Sequence, residues 1–344
     1  MKNKSPSDNE KERIIEEFQK LLEERGRKPL EMVRKAILEE EIESKEVKEA
    51  LHYFITEYWH DLARPTLMSI CCEAVGGDPN ATIPFAVPLS LISGALDIQD
   101  DIIDQSKTKH GQPTVYGKYG KEIAILAADA LLFEGFTLLH EACLEIAKEK
   151  AQKIMKIIKN MFYELGDAEA LELRLRGKLN VGLKEYLEII NKKAADVEAY
   201  TSIATILSDA PYEKTEKLAK YGRLLGIIII IRDDILDILE TNEIKNRILK
   251  EHLPLPIICL PFEEKIRLRK VIEKRRINKS DIRFIQNIVK KNRGLILSRE
   301  IIGNFALQAL KEVSDLHNTF MKIFVRAVVY DVDLHLEVSN TIGT

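Results

Sequence analysis

Two apolar runs of this chain end in clustered carboxylates, and that pairing restricts its fold more than any other feature. A long apolar segment follows the GGDPN loop at Gly76 and ends in DIQDDIID, Asp97–Asp104. A second reads IIIIIRDDILDILE, Ile227–Glu240. On a helix each residue turns about 100°, so positions i, i+1 and i+4 share one edge. Asp100, Asp101 and Asp104 therefore project from one edge, while Ile102 and Ile103 turn toward packing. Asp233, Asp234 and Asp237 repeat the spacing on a different helix. Carboxylates this close repel one another, and partial burial raises their pKa values. A bound divalent cation removes that penalty. Mg2+ takes one or two carboxylates and fills its octahedron with water and substrate phosphate. Two such edges describe a site for Mg2+ ions holding a phosphorylated substrate; the alternative is a pair of acidic surface patches.

The rest of the chain reads as helix. Ile14, Ile15, Phe18, Leu21 and Leu22 form one apolar stripe. Residues 29–63 are rich in Glu, Lys, Leu and Ala, all good helix formers. A new helix is expected at Pro65, and HGQPTVYGKYG reads as a connection punctuated by Gly and Pro. No stretch shows sustained strand alternation. The expectation is an all-α chain with one helical domain over residues 10–335, an N-terminal tail over 1–9 and a C-terminal tail over 336–344. A net charge of −3 argues against a nucleic-acid or anionic-membrane footprint. The run LLGIIIII from Leu224 is too short to cross a bilayer, so no transmembrane segment is expected. Cys71, Cys72, Cys143 and Cys259 form no C-x-x-C pair, and the N-terminus is polar, which points to a reducing, cytoplasmic compartment. His140, His252 and His317 lack metal-ligand spacing, and Tyr58 and Trp59 read as packing or interface residues.

The stretches DDIIDQSKTKHGQPTVYGKYGKEIAILAADALL and IIIIRDDILD resemble the trans-isoprenyl diphosphate synthases, the farnesyl and geranylgeranyl diphosphate synthase family. The likeness extends more weakly from about Arg64 to Leu260. It implies a single-domain antiparallel helix bundle of the isoprenoid synthase type, with a central active-site cavity and a dimeric assembly. It also implies a reaction. Mg2+ held by Asp100, Asp101, Asp104, Asp233, Asp234 and Asp237 binds an allylic diphosphate, which ionises and is attacked by isopentenyl diphosphate. By the same resemblance the three aspartates of the first set and Lys193 are catalytic. Arg64, Lys109, His110, Lys193, Arg232 and Arg247 bind substrate. Ala95 and Leu96, just before the first set, offer no bulk to cap a growing chain, which favours geranylgeranyl over farnesyl.

Several positions depart from the family pattern. Asp61 stands where it has a lysine, Ser93 where it has His or Gln, and Lys109-His110-Gly111 where it has Arg-Arg-Gly. Ile230 replaces a Gln, and Ala194 a Thr after Lys193. At 4 Å and an effective dielectric of ~20 a unit charge pair is worth ~4 kcal/mol, so Asp for Lys beside a diphosphate is a large change. Lys109 loses the bidentate fork of arginine but keeps its charge, and His110 still donates if protonated. In the family the Asp61, Ser93 and His110 positions hold the diphosphate of isopentenyl diphosphate, so the resemblance implies that the metal and allylic half of the site is present and the isopentenyl half eroded. The chain is expected to act as a homodimer or in a heteromer with a complete-motif prenyl synthase, with a non-catalytic or regulatory subunit as the alternative. A terpene cyclase and a helical binding protein are the other classes in play.

Overall fold

The computed structural model of the protein describes residues 7–341 apart from 275 and 317, so His317 lies outside the described residues. Among them the chain forms sixteen α-helices and one two-stranded hairpin. The helices are α1 (Asp8–Leu38), α2 (Lys45–Tyr53), α3 (Ala63–Ala74), α4 (Ile83–Ile103), α5 (Val115–Tyr119), α6 (Lys121–Leu144), α7 (Lys148–Leu175) and α8 (Leu183–Lys193). They continue as α9 (Ala195–Leu207), α10 (Tyr212–Leu239), α11 (Thr241–Lys250), α12 (Leu255–Ile258), α13 (Phe262–Ile272), α14 (Lys279–Lys291), α15 (Gly294–Glu312) and α16 (Phe320–Thr341). Strands β1 (Thr108–Lys109) and β2 (Gln112–Pro113) lie between α4 and α5, and a π-helix, Phe54–Tyr58, follows α2.

The chain divides into two compact units. One comprises Leu21–Lys159 and Tyr200–Glu216; the other comprises Asn160–Ala199, the chain from Lys217 onward and the segment up to Lys20. In the first unit α4 packs along α6, and its core gathers Leu30, Val33, Leu51, Phe54, Leu91, Ala95, Ile98 and Leu131. The two backbones approach closely at Gly135, where a Cβ would stand 2.8 Å from Ile92 Cγ1 and 3.0 Å from the Pro88 carbonyl. Gly135→Ala is expected to destabilise by about 1–2 kcal/mol in urea denaturation. Overpacking costs about 1–3 kcal/mol and alanine's helix propensity returns no more than about 1. A gain in stability would show that the helices separate freely there.

In the second unit Ile14 packs with Ile323 and Ala327, and Phe18 meets Phe324 edge-on at 4.6 Å. The expected amphipathic stripe is thus the one buried. Lys11 Nζ lies 2.6 Å from Glu337 and 3.1 Å from Asp8. Residues 8–9 and 336–341, expected as tails, are therefore helical, the two ends being joined by an ion pair between residues far apart in sequence.

The span Pro79–Ile103 and helix α6 are each long and apolar enough to cross a membrane, which the short run at Leu224 did not reveal. The first is 72% buried over its apolar window, as a core helix is, and α6 only 33%. The outer side of α6 exposes Ile125, Leu126 and Phe133, the last at 73%.

Candidate active site

α4 carries the first carboxylate set at its C-terminal end. Asp101 is 2% exposed and Asp104 is buried at the helix cap, while Asp100 is half-buried. The α-helical turn aligns Asp97, Asp101 and Asp104 at i, i+4 and i+7, with Asp100 beside them. Burial pushes the Asp101 carboxyl up to about 7, against the pull of Lys109 and with the repulsion of Asp100 and Asp97.

The loop after α4 brings Lys109 back onto these carboxylates. Lys109 Nζ lies 3.0 Å from Asp100 Oδ2 and 2.8 Å from Asp101 Oδ1. Burial works against its charge, but the two carboxylates outweigh that and hold its pKa well above the ordinary value. The hairpin makes this return possible. Thr108 pairs with Pro113 and Lys109 with Gln112, leaving His110 (φ 51°) and Gly111 (φ 76°) as the two-residue turn. Both residues need positive φ there, the conformation of a type I′ turn. His110, expected to bind substrate, is thus an exposed turn-tip residue. Thr114 anchors the hairpin by donating from Oγ1 to the Ser106 carbonyl at 2.7 Å and accepting from Gly117 N–H at 2.9 Å. Gly117 is obligatory, because a Cβ would sit 2.0 Å from the Lys107 carbonyl.

α10 carries the second set, which does not present three carboxylates on one edge. Ile227, Ile231, Ile235 and Ile238 face the core, and Asp234 shares that face with 0% exposure. Its Oδ2 accepts from the Tyr186 hydroxyl at 2.8 Å and from Leu255 N–H at 2.7 Å. Burial first, then Asp234, raises the Tyr186 phenol well above its ordinary pKa, so it stays protonated and donates. Asp233 and Asp237 lie one turn apart on the more open edge. Asp233 is 45% exposed and pairs with Arg232 Nη1 at 2.9 Å, while Arg232 Nε donates to Asp331 at 2.6 Å. Arg247 bridges Asp237 (2.8 Å), Glu251 (2.6 Å) and Asp234 Oδ1 (3.5 Å).

Lys193, at the end of α8, lies 2.9 Å from Glu169 and pairs closely with Glu172. Glu172 is buried and also meets His252 Nδ1 at 2.5 Å. Burial alone would favour the neutral acid, but Lys193 and then His252 hold the Glu172 carboxyl well below the usual carboxylate range. A folded pKa below the unfolded one means that the unfolded chain takes up more protons in acid. Stability from this group is complete above about pH 4.5 and is lost as pH falls further. Glu172→Gln is expected to cost about 3 kcal/mol at pH 7 and to flatten the acid slope in urea titrations. An unchanged slope would mean that the carboxylate is not charge-paired in solution.

Arg64 is held by a residue two positions from Ala63. Asp61 Oδ1 caps α3 by accepting from Ala63 N–H (2.8 Å) and Arg64 N–H (3.2 Å), and its Oδ2 lies 2.8 Å from Arg64 Nη1. The substitution that departs from the family pattern thus neutralises the neighbouring substrate-binding candidate. Trp59 Nε1 donates to Asp97 Oδ2 at 2.9 Å, a polar role beyond the expected packing. Tyr58 lies close enough to Asp101, Lys109 and Asp97 for them to act on its phenol, which burial above all keeps protonated. Ser93 bonds the Tyr200 hydroxyl at 3.0 Å. The first unit therefore brings Asp100, Asp101 and Lys109 together, and the second brings Asp233, Asp234, Asp237, Arg232 and Arg247 into one ion-pair network. Sequence reasoning missed Asp97, Glu172, Tyr186 and His252 as site residues. Only Asp97 left a signal, its i−4 spacing from Asp101.

The donor set suits Mg2+. Asp234 Oδ1 is a buried oxygen without a hydrogen bond among the described residues, Arg247 standing 3.5 Å away, and buried Asp101 Oδ1 is met by Lys109 at 2.8 Å. Carboxylate oxygens are the hard ligands this ion prefers. No group of three or more His, Cys, Asp or Glu side chains is gathered as a metal cage among the described residues.

An all-α fold in which two apolar helices each deliver a D-D-x-x-D set defines an isoprenoid synthase. The chain belongs to the polyprenyl synthetase family, whose model matches residues 44–289. It is 30% identical over 210 residues to a geranylgeranyl diphosphate synthase of Methanosarcina mazei, covering 60% of this chain and 64% of that one. It is 32% identical over 182 residues to a short chain isoprenyl diphosphate synthase of Methanothermobacter thermautotrophicus, covering 52% and 55%. The chain thus spans between half and two thirds of the length of these curated relatives. The crystal structure of a geranylgeranyl pyrophosphate synthetase from Pyrococcus horikoshii superposes with a TM-score of 0.79 at 26% identity, over 92% of this chain and 98% of that one.

Proposed function

We propose that the chain is a Mg2+-dependent prenyltransferase that joins an allylic diphosphate to isopentenyl diphosphate, giving farnesyl or geranylgeranyl diphosphate. The observation that carries this reading is Asp101, a carboxyl buried in an apolar helix beside a second carboxylate and one lysine. Such a cluster costs stability unless cations gather there. Asp100, Asp101 and Asp104 in one unit, and Asp233, Asp237 and the remaining oxygen of Asp234 in the other, would hold Mg2+. When bound, Mg2+ neutralises the diphosphate and lowers the cost of its departure.

The chain's own groups do the rest. Lys109, Arg232 and Arg247 stand against these carboxylates and supply positive charge for diphosphate oxygens. The allylic C–O bond breaks with its electron pair on the leaving oxygen, the isopentenyl double bond attacks the allylic carbon, and the cation this leaves gives up a proton to the departed diphosphate, as the family resemblance implies. Ala95, within the apolar cluster of its unit, and half-buried Leu96 are the proposed chain-length positions. The four cysteines form no disulfide, which supports a reducing, cytoplasmic setting.

The test is product formation from isopentenyl diphosphate with dimethylallyl, geranyl or farnesyl diphosphate, in Mg2+ and in EDTA. Mg2+-dependent chain elongation is expected. Failure with every allylic substrate, both alone and after co-expression with a complete-motif homologue, would sink the reading. A second reading, a non-catalytic or regulatory subunit, is favoured by the capture of Arg64 by Asp61 and of Lys193 by Glu169 and Glu172. Activity that appears only on co-expression would support it. The exposed apolar side of α6 is the proposed surface for pairing with a second prenyl-synthase chain.

A further inference from the structure

The net charge of −3 conceals a local excess of the opposite sign. Residues 262–293 hold twelve Lys and Arg against four Asp and Glu, a local net charge of +8 in a chain that is acidic elsewhere. α13 and α14 are built from this stretch, belong to the second unit and pack on one another. Neither aspartate set lies within it.

α14 sorts its side chains by charge. Ile282, Ile285, Ile288 and Val289 are buried, and Gln286 Nε2 ties the helix to the end of α10 by donating to the Ile238 and Leu239 carbonyls at 3.0 and 3.2 Å. Its one acid, Asp281, is buried too, accepting from Asn278 N–H at 3.1 Å and pairing with Lys274. What stays outside is Lys279, Ser280, Arg283, Asn287, Lys290 and Lys291, with no negative charge among them. Positions 279, 283, 287 and 290 follow one another along a single face. Lys279, Arg283 and Lys291 form no ion pair among the described residues. Like charges one turn apart repel, so this face costs stability until an anionic surface meets it.

α13 adds apolar surface beside it. Leu268, Val271 and Ile272 turn inward. The opposite side holds Phe262 and Ile266 one turn apart, 66% and 45% exposed, followed by exposed Arg269 and Lys270. Arg267 reaches over the Phe284 ring of α14 at 6.0 Å and joins the two helices at the surface. An aromatic and an aliphatic side chain held in water among Lys and Arg are what a helix carries when it lies in the headgroup layer of a bilayer. A nucleic acid would answer the bases but leave Phe262 and Ile266 without an apolar environment.

We propose that the outer face of α13 and α14 docks the protein on a membrane surface rich in anionic phospholipid, with Phe262 and Ile266 entering the headgroup layer and Lys279, Arg283 and Lys291 meeting lipid phosphate. The binding is peripheral. It uses neither the span Pro79–Ile103 nor α6, and it does not depend on the reaction assigned to the chain.

Co-sedimentation of the full chain with vesicles tests it, one set of phosphatidylcholine alone and one of equimolar phosphatidylcholine and phosphatidylglycerol. Binding to the mixed vesicles only is expected, weakening as salt shortens the screening length to about 8 Å at ~0.15 M and below that at higher salt. The triple variant Lys279→Gln, Arg283→Gln, Lys291→Gln is expected to lower affinity for the mixed vesicles about a hundredfold, each base near an anionic surface contributing about fivefold. Phe262→Ser with Ile266→Ser is expected to lower it about tenfold and to leave retention on heparin, a polyanion without a bilayer, unchanged. All five side chains lie outside the core, and an unchanged urea midpoint checks that the variants fold. Equal binding to both kinds of vesicle, or no binding of the native chain to either, overturns the proposal. So does native-like vesicle affinity in either variant. Heparin retention without vesicle binding overturns it as well and assigns the basic face to a soluble polyanion such as a nucleic acid.

Discussion

Asp101→Asn is expected to lower Mg2+-dependent turnover by about 10²–10³-fold or more while leaving the fold intact or slightly more stable. The rate loss follows from removing a metal-holding carboxylate where leaving-group charge develops. The stability effect has the opposite sign because of burial. The Asp101 carboxyl is pushed up to about 7 in the folded chain, against about 3.9 in an unfolded one. Between about pH 4 and pH 7 the folded state binds the extra proton, so this group's contribution to stability falls as pH rises through that window and levels off above it. The ceiling is ~4 kcal/mol, three pKa units at 1.36 kcal/mol each. Asparagine carries no charge and removes that slope. The check is kcat at saturating substrates beside urea denaturation at pH 5 and pH 8. Native-like turnover would sink the metal assignment. A large stability loss at pH 8 would show that Asp101 is structural.

Asp234→Ala is expected to behave in the opposite way, costing about 3–5 kcal/mol of stability as well as activity. Asp234 is fully buried and serves the Tyr186 hydroxyl, the Leu255 amide and, more distantly, Arg247. Truncating it strands a phenol and a backbone N–H without an acceptor and leaves Arg247 short of a counter-charge. Each stranded donor costs about 1–3 kcal/mol, and breaking a buried charged pair about 3–5. Asp233→Asn, one position away on the same helix, is expected to change stability by less than about 1 kcal/mol, since Asp233 is 45% exposed and Arg232 keeps Asp331. A double-mutant cycle of Asp234→Asn with Tyr186→Phe isolates the buried contact, and additive effects would mean the hydrogen bond contributes nothing. Equal stability costs for Asp233→Asn and Asp234→Ala would remove the distinction between the two positions.

These two aspartates show how far local spacing reaches. D-D-x-x-D places three carboxylates near one another, but 100° separates neighbours, and the apolar face of the helix decides which one is buried. In α10 the isoleucines at 227, 231, 235 and 238 take Asp234 inward with them and leave Asp233 and Asp237 more open. In α4 the turn before Asp101 carries half-buried Asp97, which accepts from Trp59 and which the pentad spacing passes over. His110 illustrates a second limit. Its place beside Lys109 implied a substrate contact; the two-residue hairpin sets it at the exposed turn tip and carries Lys109 back to the carboxylates, an arrangement that residue spacing alone does not reveal.

By itself the amino-acid order determined the helical class, the positions of both aspartate sets and the family likeness. Each of these rests on spacing within a few turns of one helix, where backbone geometry leaves little freedom. Tertiary structure alone decided which side chain answers which: Lys109 for Asp101, Arg247 for Asp237, Lys193 and His252 for Glu172, Asp61 for Arg64. Most of those partners come from other segments of the chain, and a Coulomb interaction depends on distance through space and on burial, neither of which is written in residue spacing.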